Sequence, residues 1–305
     1  MLKRNLALLG LIMSLSSHAA TDTPLLFGNT YISTGDSAEV YGDIVANTYL
    51  VTGADAIVKG NIQTGTAVTT GANGDVGGDI KASTAITLGA SSAVDGTVCY
   101  DTTLTRGAGS TTGGYNCPGS TMTYNRDQVI AAQDYYNALT TELTGVSNHI
   151  EPTMPLSVML NPSDDSAYIT GTNTVVYDAV SLTTAAGITL TLNGDYDWVF
   201  NIRDMLSLGA GTKIVLANGS NGSVTWNIGG YASIGAHAEI VGTILANGYI
   251  STGLSSKITA AGAYSVSTQS YCGGLFSATS YVTIGASSTV RCVQDEDENS
   301  FGKPW

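Results

Sequence analysis

The chain has 305 residues, 37 of them Gly, with 11% charged residues and a formal net charge of −13. So acidic a chain lacks the basic patches that nucleic acids and anionic membranes require of a partner. Its aliphatic residues recur at fixed intervals, which argues against disorder and for one large all-β domain.

Residues 1–20 read as a secretory signal. Lys3 and Arg4 supply the charged start, Leu6 to Leu15 the apolar run, and Ser17-His18-Ala19, or Ala20, the small residues a signal peptidase needs. The run is too short to span a bilayer. A mature chain that is secreted or extracellular, cleaved near Ala19 or Ala20 and free of membrane spans, is expected.

From Asn29 to Tyr100 the chain is four contiguous copies of an 18-residue unit, beginning at Asn29, Asn47, Gly65 and Ser83. Position 2 is Thr (Thr30, Thr48, Thr66, Thr84) and position 4 is aliphatic (Ile32, Leu50, Val68, Ile86). Positions 7 and 14 are Gly, as at Gly53 and Gly78, and position 16 is Ile44, Ile62, Ile80 and Val98. A short period with recurring Gly and aliphatic positions is the pattern of a β-solenoid, with one coil of three short strands per unit. Coils stack at about 4.8 Å, so equal positions form columns. The glycines are assigned to corners, where φ > 0 or tight packing excludes a Cβ.

After Tyr100 the repeat fades, and residues 106–122, rich in Gly, Thr and Ser, read as a loop. A helix follows over about residues 126–143. Val129, Ala132, Tyr136, Leu139 and Leu143 form its apolar stripe, Asn125 is its N-cap, and Gly145 is a stop. A lone amphipathic helix among strands needs an apolar partner, so it is placed along one face of the solenoid, with Leu139 and Leu143 buried. Residues 147–166 carry three prolines and read as an extended crossing segment. Strands resume from Ala167, and Asn193-Gly194 marks a turn. The 18-residue pattern returns at 229–246, again from Asn247, and at 279–292. The solenoid domain is set at residues 21–293 and an acidic flexible tail at 294–305.

The four cysteines of an exported chain point to two disulfides. Three pairings are possible. Cys99–Cys117 with Cys272–Cys292 is favoured because each closes a local loop. No catalytic constellation stands out. His149 and His237 lie in no metal-spaced motif, Asp195 and Asp197 beside Trp198 fit a turn better than an acid/base pair, and no cofactor or metal is expected.

The segments at 190–202, 206–219, 224–246 and 247–253 resemble the bacterial and microalgal ice-binding family, the type 1 ice-binding proteins (DUF3494). The resemblance implies a discontinuous right-handed three-faced β-solenoid with one α-helix packed alongside. It also implies a flat ice-binding face whose strands carry Thr-Ala/Gly-X-Thr/Asn. That pattern occurs at Thr66-Ala67-Val68-Thr69 and Thr84-Ala85-Ile86-Thr87. These name Thr66, Ala67, Thr69, Thr84, Ala85 and Thr87 as ice contacts, with Ser233, Ser251 and Thr283 widening the same outward column. The implied protein is a secreted, antifreeze-like monomer whose partner is the surface of an ice crystal, and it is not an enzyme.

The remaining copies carry Tyr at position 3: Tyr31, Tyr49, Tyr231, Tyr249 and Tyr281. They support an alternative, an extracellular adhesive or matrix protein whose Tyr face stacks on polysaccharide or docks another protein.

Overall fold

The computed structural model describes residues 23–115, 124–142, 157–160, 173–217, 222–260 and 273–292. Every strand pair given a register is parallel, as in Ile32↔Leu50 and Leu26↔Ile44. Each repeat unit contributes a strand to each of three faces. In the first unit these are Ile32–Thr34 on a first face and Glu39–Val40 on a second. A third face takes Ile44–Ala46.

The first face is a ten-stranded sheet, and its order reveals how the chain is threaded. The N-terminal units begin in the middle of the stack and wind outward to Thr103–Arg106. The C-terminal part starts at the opposite end with Leu182–Thr183 and winds inward to Val282–Ile284. The halves meet in register at Leu26↔Leu275, Ile32↔Val282 and Val40↔Val290. The solenoid is therefore discontinuous.

Alternation along each strand buries position 4. Ile32, Leu50, Ile86, Ile250 and Val282 are all fully buried on the solenoid axis. The C-terminal half fills its interior with aromatic rings, and Phe200 stacks on Trp226 at 4.2 Å.

The corner glycines act through close packing. A Cβ on Gly53 would run into the backbone of Gly35 and Asp36 in the next coil, and one on Gly78 would sit 2.7 Å from the Gly60 carbonyl carbon. The left-handed turn falls instead at position 9. Ser37, Asp55, Asn73 and Ser91 have φ of 53–55° there, and His237, Ser255 and Ser287 hold the equivalent corner of the other half. Short polar side chains tolerate this conformation, and each such residue donates its N–H to the adjacent coil, as Asn73 does to the Ala90 carbonyl at 2.8 Å.

The helix spans Arg126–Glu142. Asn125 Oδ1 accepts from the Asp127 N–H at 2.9 Å, while Gln128 Oε1 accepts from the Asn125 N–H at 2.8 Å, a reciprocal capping box. The helix lies on the third face of the C-terminal half. Its first turns set Tyr124, Val129 and Ile130 against Phe27, Val45, Leu245 and Phe276, which are apolar where an exposed strand would be polar. Beyond them the contact becomes polar. Gln133 Nε2 donates to the Ile228 carbonyl at 3.0 Å, and Asn227 Nδ2 donates to Asn201 Oδ1 and Asn137 Oδ1 at 2.8 and 2.9 Å. The expected stripe is corrected accordingly. Leu139 is half-buried rather than buried, the deepest helix side chains are Val129 and Gln133, and Leu143 lies outside the described residues. Buried backbone carbonyls and amides on the solenoid draw a hydrogen-bonding Gln where an apolar stripe alone would place Leu.

Residues 106–115, expected as part of a loop, form a further coil. Thr103–Arg106 pairs with Ala85–Leu88, and Thr111–Tyr115 extends the second and third faces. Cys99 and Cys292 each lie in a described strand. Cys117 and Cys272 lie outside the described residues, as do the signal, His149, residues 161–172 and the tail.

Candidate functional site

The first face carries two outward columns, at unit positions 3 and 5, and neither contains a charged residue from Leu182–Thr183 to Thr103–Arg106. The second face differs sharply, with ion pairs Lys59–Asp75 at 2.6 Å and Lys213–Glu239 at 3.1 Å. Both of these ion pairs lie off the first face.

The registers Tyr49↔Ala67, Ala67↔Ala85 and Ala85↔Thr103 define column 3 at one end of this face. Column 5 runs Ser33, Val51, Thr69, Thr87, Thr105. Thr66, Ala67, Thr69, Thr84, Ala85 and Thr87 therefore stand together on adjacent coils. The structure adds a third row that the sequence pattern hid: Thr102, Thr103 and Thr105. Its signal was present, since Thr102, Leu104 and Gly107 hold positions 2, 4 and 7 of a fifth unit.

The threonines divide into two kinds. At position 2 the hydroxyls are committed along the stack. Thr66 Oγ1 donates to the Thr48 carbonyl, Thr84 Oγ1 to Thr66 and Thr102 Oγ1 to Thr84, at 2.7, 2.7 and 2.8 Å. These bonds hold each side chain in one rotamer and leave its methyl group and oxygen lone pairs for a partner. At position 5 no side-chain hydrogen bond engages Thr69 or Thr87 among the described residues, so their hydroxyls can both donate and accept.

Ser233, Ser251 and Thr283 occupy the same column 5 in the other half, and Ser33 and Val51 stand between Thr283 and Thr69. The residues beside them in column 3 are the tyrosines, now contiguous because the two halves meet. The ladder runs Tyr231, Tyr249, Tyr281, Tyr31, Tyr49. Successive ring centroids are 4.7, 5.3, 4.8 and 5.1 Å apart, with planes within 14° of parallel. The inner rings cover one another's faces and turn edges and hydroxyls outward. Burial, then the neighbouring phenols, raise the pKa of Tyr31 and Tyr249. Tyr231 ends the ladder by donating to Met205 Sδ at 3.0 Å, whereas Tyr49 ends it open, 41% exposed over Ala67.

The remaining candidates are structural. Asp197 Oδ1 accepts from Ser223 Oγ at 2.6 Å and fastens one coil to the next. His237 is an exposed left-handed corner residue. Among the described residues no group of His, Cys, Asp and Glu could hold a metal ion, and no helix is long and apolar enough to cross a membrane.

The ice-binding-like family model matches residues 82–290. Among solved structures, an ice-binding protein from the Antarctic ascomycete Antarctomyces psychrotrophicus is similar over 89% of this chain and 95% of its own, at 16% identity and a TM-score of 0.50. The DUF3494 domain of a Shewanella frigidimarina ice-binding protein is similar over 90% of this chain and 95% of its own, at 17% identity and a TM-score of 0.45. An antifreeze ice-binding protein from an Arctic yeast is similar over 90% and 91%, at 15% identity and a TM-score of 0.42. At such identities the likeness concerns the fold alone. No curated protein matches the chain in sequence.

Proposed function

Because the chain belongs to the ice-binding-like family, we propose that it adsorbs to ice through the Thr/Ala end of its first face and so inhibits ice growth or recrystallisation. The observation that carries this reading is the three-row array of Thr66, Ala67 and Thr69, Thr84, Ala85 and Thr87, and Thr102, Thr103 and Thr105. Strand spacing repeats the array at about 4.8 Å along the stack. Position-2 methyls, held by their hydroxyl bonds to the backbone, order the neighbouring water. Position-5 hydroxyls anchor that water directly. Each contact is weak, but rigid contacts add without an ordering penalty. Ser233, Ser251 and Thr283 form a second, narrower part of the column beside the Tyr ladder. The protein acts outside the cell after removal of residues 1–20, with Cys99–Cys117 and Cys272–Cys292 as its disulfides and without a catalytic step.

Thermal hysteresis, crystal shaping and partition into a growing ice front test the proposal on the mature chain and on Thr69→Tyr and Thr87→Tyr. Thr87 lies in the middle row, so its replacement is expected to abolish hysteresis while changing stability by no more than about 0.5 kcal/mol, as exposed substitutions do. Full hysteresis in both variants would place the ice face elsewhere.

A further inference from the structure

The Tyr ladder lies outside the Thr/Ala array, and its chemistry differs from that array's. Position 3 and position 5 side chains leave the same side of a strand. The phenol column therefore stands as a raised ridge beside a low column of Ser251, Thr283 and Ser33, and this part of the face has two levels. The hydroxyls of Tyr249, Tyr281 and Tyr31 make no hydrogen bond among the described residues. Ridge and low column together form a straight, uncharged track along the solenoid axis. It offers apolar ring edges and one phenol with one aliphatic hydroxyl per coil, with ring centroids 4.8–5.3 Å apart in its central part.

We infer that this track binds a neutral, extended β-1,4-linked hexopyranose chain lying parallel to the solenoid axis. Three observations select that occupant. Charge is absent from both columns, which excludes an acidic or basic polymer. The ring interval is close to the length of one sugar in such a chain, and because successive sugars are turned over, every second sugar meets equivalent groups on every second coil. A peptide strand instead presents side chains to one side every 6.6 Å or so and falls out of step. Ring edges with hydroxyls match a sugar's mixture of C–H and O–H groups. Because the inner ring faces are covered, the sugars lie along the ridge rather than flat on it. Only the chain end at Tyr49 meets an open ring face.

The test is retention of the purified mature protein on amorphous cellulose and on chitin, which share the linkage, with α-linked starch as the control. The comparison variant is Tyr31→Phe/Tyr249→Phe/Tyr281→Phe, which keeps the stack and removes the hydroxyls. Retention on either β-linked polymer but not on starch, falling at least tenfold in the triple variant, supports the track. Absence of retention on both β-linked polymers, or equal retention of the triple variant, overturns it. Thr87→Tyr leaves the ladder intact and should be retained as the parent is. Partition into ice, measured on the same samples, should be unchanged in the triple variant. Glycan retention by a parent chain that fails to enter ice would remove the ice proposal alone.

Discussion

If the ice array stops where the Tyr ladder begins, moving that boundary by one coil should strengthen adsorption. The double substitution Tyr49→Ala/Val51→Thr converts Thr48-Tyr49-Leu50-Val51 into the pattern of the next two coils and adds a fourth row. Tyr49 is the open end of the ladder, stacked on Tyr31 at 5.1 Å and 3°. Losing one aromatic pair at a largely exposed position costs about 0.5–1.5 kcal/mol. Val51 is 38% exposed and stands in column 5. Thr keeps its β-branching, so that change stays within about 0.5 kcal/mol. The net loss of about 1 kcal/mol lowers the melting temperature by about 2–4 °C for a domain of this size. The array meanwhile grows from three rows to four, on a scaffold that needs no further ordering. Thermal hysteresis at equal concentration should rise, and the melting temperature serves as the control. Hysteresis that is unchanged or reduced in a folded variant would show that the boundary lies elsewhere or that the ladder itself contacts ice.

Further outcomes follow from the scaffold. Gly53→Val and Gly78→Val force side chains into the backbone of the adjacent coil and should each destabilise by about 1–3 kcal/mol or more, read from denaturant midpoints. Val129→Ala removes the fully buried anchor of the helix against Phe27 and Phe276 and should cost about 1.5–3 kcal/mol. Amide exchange should show the helix loosening first, and a helix that exchanges freely in the parent protein would refute its docking role. Burial raises the pKa of Tyr31, Tyr249 and Tyr124 in the folded state. Their contribution is therefore present below the unfolded phenol pKa of about 10 and is lost as pH rises through the folded values. Melting temperature should fall above about pH 10, and Tyr124→Phe should blunt that fall.

The N-terminal coils were legible because their period never varies: Thr66, Val68 and Gly71 recur with each unit. The fifth coil was missed although Leu104 and Gly107 keep the register, because Gly113 and Gly114 mimic a loop and the pairing shifts between Val94 and Thr97. In the C-terminal half, Leu182 pairs with Leu206 and Leu206 with Ala232, so coil lengths differ from 18 and the period dissolves. The candidate site was readable as residue types at fixed positions, but its continuity was not. No local pattern says that Tyr281 stacks on Tyr31, because that contact depends on where the two halves of the chain meet. The helix stripe was misjudged at Leu139 for a related reason, since its docking surface presents the Ile228 and Leu245 carbonyls and so rewards Gln133.

The meeting of the two halves also governs how the molecule can come apart. In an ordinary solenoid the chain termini are the ends of the stack, and unravelling begins there. Among the described residues both ends of the stack are built from internal chain, Thr103–Tyr115 at one and Ser157–Leu160 with Thr174–Thr183 at the other, while the strands nearest the termini, Leu26–Gly28 and Thr289–Cys292, are clamped between coils on both sides. The same threading leaves the inner edge of the N-terminal half unpaired until Leu275–Ser277 has been made and delivered to it, which puts a contact of very long sequence separation late in folding. An exposed parallel edge during that interval is a template for pairing with another chain. Loss of the last coil would therefore open the stack at its middle, where the ladder and the column beside it are continuous, rather than shorten it at one end.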